Sequence, residues 1–320
     1  MKDCIAAIDM GTNSFHLIIV QVRNGGSFKI IDREREVIRL GFHKGRDFNV
    51  ISEGEIEKAI DILRDFSKIG KFYGAEIRAI ATSAVREAKN KDEFITRVYQ
   101  ETGILVEAIE GTKEAELIYL GVLNAIKVKS KRVLCVDIGG GSTEFLLGDK
   151  GQIIFAESIK IGAVRLSKKF FPHYNISPES VRDCEQYISD MILAKSNLHS
   201  HHQFDCTAGT SGTINACASI IYFRRHNKFA KSLNDFTFEA SELYDLTEDV
   251  LNCESPVDRL SIQGMEVKRA DIIPAGILVL KRAFEIFDIK NMTISENALR
   301  EGIIIETIKQ QNEQIVFAAT

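Results

Sequence analysis

The sequence predicts an α/β protein made of two related domains, and three observations lead to this prediction. The chain has 320 residues, which is enough for two domains that each bury a core. Short apolar runs typical of strands alternate with amphipathic helical patterns. One unit of strand, polar loop, strand, turn and strand occurs twice, with its aspartate at Asp9 in the first copy and at Asp137 in the second.

The two copies have the same order of elements. In the first copy, the strand, the loop, the second strand, the turn and the third strand are predicted at 5–8, 9–15, 17–20, 23–26 and 28–31. In the second copy the same elements are predicted at 133–136, 137–145, 146–147, 148–151 and 153–155. Because Asp, Gly and Ser recur in register with the same rhythm of strands, the repeat indicates two homologous domains.

Further helices and strands follow each copy. In the first half they are a helix that begins with a capping box at 52–55, a strand at 77–81, a helix at 91–101, a strand at 104–109 and a helix at about 112–125. In the second half they are a helix that begins at 177–179, a strand with a glycine loop and a helix start at 204–213, a helix after Phe238, a mixed segment at 257–281 and a last helix at about 297–310.

The polar stretch 127–132 is predicted to be the crossing between the domains. The predicted domains are therefore 1–126, which contains the loop at Asp9, and 127–320, which contains the loop at Asp137. The last helix can pack back on the first domain in this division.

The composition of the chain limits which partners and which cellular compartment we expect for the protein. Lys and Arg number 41 against 45 Asp and Glu, so the net charge is -4 and bulk attraction to nucleic acid is not expected. The six cysteines are scattered without a CxxC pair, which predicts free thiols in a reducing, cytoplasmic compartment. The apolar runs are too short for a signal peptide or a membrane span, so no membrane partner is expected.

The segment 137–144 carries the strongest chemical motif. Its three consecutive glycines let backbone N–H groups approach an anion, and the carboxylates beside them can hold a divalent cation. A glycine-rich hairpin turn is the alternative. The second loop at Asp9 weakens that alternative, because a structural turn has no reason to pair Asp with Gly and Ser twice in register.

Two phosphate loops, one in each domain, are typical of the actin, Hsp70 and sugar-kinase superfamily, which the sequence resembles. Seven motifs in order along the chain resemble the exopolyphosphatase and guanosine pentaphosphate phosphatase (Ppx/GppA) family. They lie at 9–16, 81–88, 110–116, 137–144, 209–213, 269–271 and 298–302. The resemblance implies two duplicated actin-like (ribonuclease H-like) domains with an interdomain cleft, in the short two-domain form of the family.

The resemblance also implies roles for two residues as the catalytic pair. Glu114 matches the family glutamate that activates the attacking water, and Thr112 is a plausible cap for its helix. On the local pattern alone, the general preference of Glu for a first helical turn is the favoured explanation. Glu110 and Glu116 are rival glutamates, and the family match selects Glu114. Arg86 matches the phosphate-binding arginine, although a surface ion pair with Glu87 is an alternative.

The remaining site residues follow from the same resemblance. The acidic residues that match those around the metal are Asp9, Asp137 and Glu144, and they imply Mg²⁺ as the cofactor. The residues that match the phosphate-holding loops are Thr12, Asn13, Ser14, Gly139, Gly140, Gly141, Ser142, Thr143, Gly209 and Gly212. For the last two, a simple strand-to-helix turn is the alternative.

Basic residues in two places are candidates for a polyanion track. They are Lys160, Arg165, Arg224, Arg225 and Lys228. A solvated charged face is the alternative for each group. Longer family members carry an additional C-terminal helical domain that this sequence does not show, so weak grip on long polymers and distributive release are expected.

The expected activity is an Mg²⁺-dependent phosphohydrolase that releases terminal orthophosphate from inorganic polyphosphate, guanosine pentaphosphate, or both. A small-molecule kinase and an ATP-binding actin-like protein of the same superfamily are the alternatives. The kinase would need a catalytic Asp for a substrate hydroxyl and an adenosine pocket, whereas the sequence offers Glu114. The resemblance also implies a homodimer as one assembly state.

Overall fold

The chain, described by a computed structural model over residues 3–40, 50–195 and 203–318, divides into two compact units. Unit 1 combines Met1–Gly121 with Leu299–Thr320, and unit 2 is Val122–Ala298. Each unit contains a sheet with helices packed on it. The predicted α/β fold with two sheets is therefore confirmed.

Unit 1 is built from five strands and five helices within the described residues. The strands are β1 (Cys4–Met10), β2 (Ser14–Val22), β3 (Phe28–Val37), β4 (Glu76–Ala81) and β5 (Val106–Ala108). The helices are α1 (Glu53–Phe72), α2 (Ser83–Arg86), α3 (Lys91–Thr102), α4 (Gly111–Ala125) and α11 (Leu299–Ala318). The sheet order is β3-β2-β1-β4-β5, in which β1 is antiparallel to β2 and parallel to β4.

Unit 2 repeats this plan with additions. The strands are β6 (Arg132–Ile138), β7 (Thr143–Asp149), β8 (Gln152–Ile159), β9 (Cys206–Thr210), β10 (Thr237–Glu239) and β11 (Asn291–Ile294). The helices within the described residues are α5 (Ala163–Phe170), α6 (Pro178–Leu193), α7 (Ser211–His226), α8 (Ala240–Asn252), α9 (Pro256–Arg259) and α10 (Ile273–Ile286). The sheet order is β8-β7-β6-β9-β11-β10, so the first four strands correspond to those of unit 1.

The duplication is visible in the hydrogen bonds as well as in the strand order. In unit 1 the Gly11 N–H donates to the Ser14 carbonyl (3.2 Å), and in unit 2 the Gly139 N–H donates to the Ser142 carbonyl (3.0 Å). The pairing of the second and third strands shifts register at Ile19/Val20 in one unit and at the corresponding Leu147/Gly148 in the other. A shared irregularity of this kind supports a common origin for the two hairpins.

Local sequence explains where the principal helices begin. The Ser52 side chain accepts from the Glu55 N–H while the Glu55 carboxylate accepts from the Ser52 N–H, which completes the predicted capping box of α1. Helix α6 begins with Pro178 at its first position after the cap Ser177. Buried apolar faces then fix both helices to their units, with Leu63 and Phe66 of α1 in the core of unit 1.

The division into units differs in detail from the predicted boundaries. It falls at Gly121 inside α4, upstream of the polar stretch 127–132, and α11 belongs to unit 1. The reason is that α11 packs against β1 and β2, so the first domain contains the end of the chain. The mixed segment 257–281 resolves into α9 and most of α10. In the described part of the chain, no helix combines the length and the apolar character of a membrane span.

Candidate active site

The loop between β1 and β2 presents buried polar side chains. The Asn13 carbonyl accepts from the N–H groups of Ile38 and Arg39 (3.1 and 3.0 Å), which anchors the loop to the segment after β3. Thr12, Asn13 and Ser14 are all buried. The Thr12 hydroxyl oxygen and both side-chain heteroatoms of Asn13 have no hydrogen-bond partner among the described residues. Buried polar atoms normally have partners, so these groups suit a polar ligand such as a phosphoryl group.

A short hydrogen-bonded chain leaves this loop towards α11. The Ser14 hydroxyl lies 2.9 Å from His16 Nε2, and His16 Nδ1 lies 3.4 Å from a guanidinium nitrogen of Arg300. Residue 16 directly faces Asp9 across the hairpin. His16 and Arg300 belong to the family motifs at 9–16 and 298–302, but no role could be predicted for either, because no local spacing links positions so far apart.

Arg86 and Glu114, the two residues with predicted catalytic roles, are in direct contact. Arg86 closes the short helix α2, and its Nη1 donates to Glu114 Oε2 (2.8 Å) and to the Ile109 carbonyl (3.0 Å). Glu114 lies in the first turn of α4, where its N–H donates to the Glu110 carbonyl, and only 7% of it is exposed. The neighbouring Glu87 accepts from the Ser83 hydroxyl. The arginine is therefore directed to Glu114, 28 positions away.

Three further charged groups interact with this pair or with one another. Burial raises the pKa of Asp9 to about 7, the nearby charge of Arg300 opposes that rise, and Glu114 and Glu301 add to it. Burial also raises the pKa of Glu114, and Arg86 opposes this by stabilising the carboxylate. Glu301, which sequence reasoning did not single out, is almost fully buried at the start of α11. Unit 1 thus gathers three carboxylates and two guanidinium groups.

The glycine loop of unit 2 is held by the start of α5. The Gly140 carbonyl accepts from the N–H groups of Val164 and Arg165, and the Arg165 side-chain Nε donates to the Gly141 carbonyl (2.8 Å). A Cβ at Gly162 would lie 2.4 Å from the backbone of Gly140 and Gly141. Only glycine at position 162 allows this approach, so the shape of the loop depends on it.

Asp137 and Glu144 lie opposite each other in the register of β6 and β7. Directly opposed residues project from the same face of a sheet, a few ångström apart. Both are nearly buried, at 6% and 3% exposure, and the Ser158 hydroxyl donates to Glu144 Oε1 (2.7 Å).

This donor set fits Mg²⁺. Magnesium is usually held by one or two carboxylates together with water and substrate phosphate oxygens. No group of three or more His, Cys, Asp or Glu side chains that could hold a metal occurs among the described residues, so the predicted set of three ligands stays a prediction. Asp9, the third predicted ligand, belongs to unit 1, where it interacts electrostatically with Arg300 and Glu301.

Strand β9 runs directly into α7 in unit 2, with Gly209 in the strand and Gly212 in the first turn of the helix. A Cβ at Gly209 would lie 2.3 Å from the Met292 sulfur, and one at Gly212 would lie 1.5 Å from Nη2 of Arg269. Thr210 is buried and its hydroxyl oxygen has no hydrogen-bond partner in the described structure, while Ser211 has a positive φ of 72°. The lack of a side chain at Gly209 therefore makes room for Met292 in the core, and the lack of one at Gly212 makes room for the Arg269 guanidinium. Arg269 belongs to the family motif at 269–271, but the sequence does not predict this contact.

Three residues of the predicted polyanion track lie in two different places in unit 2. Arg165 lies at the glycine loop, but Arg224 and Arg225 lie in the last turn of α7, about 20 Å along the helix from the Gly212 end. Arg224 pairs with Asp249 (2.6 Å), and Arg225 pairs with Glu242. These pairings support the alternative of a solvated charged face for this group.

Comparison with known proteins decides the family. The profile of the Ppx/GppA phosphatase family matches residues 18–311. The chain belongs to this family. A Haemophilus influenzae protein named "Putative exopolyphosphatase" is 31% identical over 319 residues, which cover 99% of this chain and 95% of that protein.

Solved Ppx/GppA-type structures extend the match to the fold. An exopolyphosphatase from Cytophaga hutchinsonii aligns with a TM-score of 0.87 at 29% identity, over 96% of this chain and 98% of that one. The Aquifex aeolicus member of the Ppx/GppA family aligns with a TM-score of 0.81 at 27% identity, over 97% and 98% of the two chains. Because coverage is nearly complete in both directions, the Ppx/GppA assignment applies to both units.

Proposed function

We propose that this chain is a phosphohydrolase that requires Mg²⁺ and releases terminal orthophosphate from inorganic polyphosphate, guanosine pentaphosphate, or both. The observation that carries the proposal is the buried Arg86–Glu114 pair in the same unit as the unpartnered polar groups of Thr12 and Asn13. A carboxylate beside a phosphate-binding loop can accept a proton from water, and a guanidinium can bind phosphoryl oxygens.

In the proposed reaction, Glu114 accepts a proton from a water molecule whose oxygen attacks the terminal phosphorus. The bond between that phosphorus and the bridging oxygen breaks, and the bridging oxygen leaves on the shortened substrate. The products are orthophosphate and a chain, or nucleotide, with one phosphate fewer. Arg86 stabilises the negative charge on the transferred phosphoryl group. The side chains of Thr12, Asn13 and Ser14 bind and orient its oxygens.

In unit 2, Asp137 and Glu144 would hold Mg²⁺ with their carboxylate oxygens. The ion would neutralise charge on the phosphate oxygens when bound. Ser158 keeps the Glu144 carboxylate in place through its hydrogen bond. The glycine loop 139–142 is held by α5 and would supply backbone N–H groups to the phosphates.

Both proposed substrates end in the same phosphoanhydride, so the same side chains serve either. The family relative from Haemophilus influenzae and the structure from Cytophaga hutchinsonii are both described as exopolyphosphatases, which supports polyphosphate as one substrate. The six free thiols support the cytoplasm as the compartment. A homodimer stays a prediction.

The test is phosphate release by the purified protein, with long polyphosphate, short polyphosphate, guanosine pentaphosphate and ATP compared in Mg²⁺ and in excess chelator. We expect Mg²⁺-dependent release from at least one of the first three and little from ATP. Glu114→Gln, assayed beside the wild type, identifies any contaminating phosphatase. Release that is equal in the two proteins, or release from ATP alone, would overturn the proposal.

A further inference from the structure

The first turn of α4, which carries Glu114, is tied to α11 by the residue next to the catalytic glutamate. Lys113 Nζ donates to Glu306 Oε1 (2.5 Å) across 193 positions of sequence. Glu306 Oε2 also lies 2.7 Å from Arg78 Nη2 on β4. Glu306 thus holds a cation from a helix and a cation from the central sheet at the same time.

The backbone contact one turn away makes the attachment rigid. A Cβ at Gly302 would lie 1.8 Å from the Leu117 carbonyl oxygen, so α11 and α4 approach each other directly at this point. Gly302 and Glu306 are four positions apart on α11, and Lys113 and Leu117 are four positions apart on α4. Residues at this spacing share one face of a helix. Two contacts in opposite order along the helices therefore fix α4 against rotation and sliding.

Fixing Lys113 also fixes Glu114. Consecutive residues in a helix project about 100° apart around its axis, so rotation of the first turn moves both side chains together. Arg86 Nη1 reaches Glu114 Oε2 at 2.8 Å, and a small rotation would lengthen this bond. A misplacement of about 1 Å in a catalytic group can reduce a rate by about 100-fold.

The charges around Glu306 keep it ionised and so stabilise its ion pairs with Lys113 and Arg78. The hydrogen bond from Lys113 and the charge of Arg78 hold the pKa of Glu306 below its ordinary value, against the effect of burial. Only 14% of the Glu306 side chain is exposed, against 40% for Lys113, so solvent competes weakly for the carboxylate. Arg78 Nη1 reaches Thr307 and Gln310 of the same helix as well.

We propose that Glu306 is a positioning residue that sets the place of Glu114 through Lys113. The inference rests on the proposed function for the role of Glu114, but the tie itself is independent of the substrate. Glu306→Gln keeps the size of the side chain and removes its charge. Glu185→Gln is the matched control, because Glu185 accepts from Lys281 Nζ at the same 2.5 Å in unit 2. Each lysine also has a glutamate of its own helix nearby, Glu116 and Glu285 respectively.

We expect Glu306→Gln to lower kcat about 10-fold with KM within about 2-fold, and Glu185→Gln to change neither by more than about 2-fold. In the Glu114→Gln background, Glu306→Gln should lower the residual rate no further, because the group that it positions is already lost. An equal loss in both backgrounds would show a general structural effect and overturn the proposal. So would an unchanged kcat.

Amide hydrogen exchange separates this inference from the proposed function. Glu306→Gln should speed exchange at residues 114–118 about 10-fold or more, while Glu185→Gln leaves these amides unchanged. If the wild type hydrolyses none of the substrates, the proposed function fails. The exchange result then tests by itself whether the Lys113–Glu306 ion pair holds the first turn of α4 in place. Unchanged exchange at 114–118 overturns the inference in either case. Lys113→Met should reproduce both effects, and it serves if Glu306→Gln does not fold.

Discussion

His16 occupies in the first hairpin the position that Glu144 occupies in the second. Each faces an aspartate across its hairpin, Asp9 in unit 1 and Asp137 in unit 2. His16 is bonded to Ser14 and Arg300, whereas Glu144 accepts from Ser158. One duplicated scaffold has therefore acquired a carboxylate pair in unit 2 and a carboxylate–imidazole pair in unit 1.

The first prediction follows from this difference. Asp137→Asn and Glu144→Gln should each raise the Mg²⁺ concentration for half-maximal rate about 10-fold or more, because each removes one of the two opposed carboxylates. Titration of phosphate release with Mg²⁺ measures this. Asp149→Asn, at the far end of β7, is the control and should leave the requirement unchanged. If both site variants reach half-maximal rate at the same Mg²⁺ concentration as the wild type, Asp137 and Glu144 do not hold the ion.

The second prediction concerns the proposed base. Glu114→Gln should lower kcat by about 10²- to 10⁴-fold with KM nearly unchanged, because it removes the proton acceptor and leaves the binding groups in place. Glu110→Gln is the control, since Glu110 precedes α4 and is exposed. Steady-state kinetics on the preferred substrate decides. Near-normal turnover of Glu114→Gln would contradict the assignment.

The third prediction concerns stability and pH. An acid whose pKa is raised by folding, as burial raises that of Asp9 to about 7, binds its proton more tightly in the folded state. Its contribution to the free energy of unfolding is therefore greatest below its unfolded pKa and is lost as pH rises towards 7. Asp9→Asn should unfold a few °C above the wild type near pH 8 and at about the same temperature near pH 4.

This comparison needs thermal unfolding in excess chelator, so that no bound cation compensates the carboxylate. A difference in Tm that is constant across the pH range would contradict the prediction, because it would not follow the titration of Asp9.

The fourth prediction concerns the support of the glycine loop. Gly162→Ala should destabilise the protein by about 1–3 kcal/mol and raise KM, because its Cβ would overlap the backbone of Gly140 and Gly141. Gly54→Ala in α1 is the control, since a Cβ there meets open space and alanine favours a helix by up to about 1 kcal/mol. Chemical denaturation and kinetics measure both effects. If Gly162→Ala is as stable as the wild type, the loop does not depend on that close approach.

The fifth prediction tests the polyanion track. Because Arg224 and Arg225 are paired with Asp249 and Glu242 at the far end of α7, replacing both by Ala should change the KM for long polyphosphate by less than about 2-fold. The KM should be measured at low and high salt, where a phosphate-binding cation would make a difference. If the KM for polyphosphate rises and the KM for guanosine pentaphosphate does not, Arg224 and Arg225 bind the polymer after all.

The sequence predicted the parts of the site that lie within one local segment. Both hairpin loops could be found because the repeat places Asp, Gly and Ser in register. The family motifs pointed to Glu114 and Arg86, and in the structure Arg86 Nη1 lies 2.8 Å from Glu114 Oε2. Their catalytic roles stay predictions.

Contacts between distant segments could not be predicted in the same way. Arg300 meets His16 across 284 positions and Glu306 meets Lys113 across 193, and no periodicity relates such pairs. The short strand β11 was hidden for another reason. Its four residues are too few for an alternating pattern to stand out.

Unit 1 is discontinuous in sequence, and this has a consequence for biosynthesis. Its helix α11, which carries Arg300, Glu301 and Glu306, is translated only after all of unit 2. At ordinary rates of elongation this delay is roughly 10 to 35 seconds. During that time the nascent chain exposes the surface of β1 and β2 that α11 covers. The site in unit 1 therefore lacks Arg300, Glu301 and Glu306 until the whole of unit 2 has been translated.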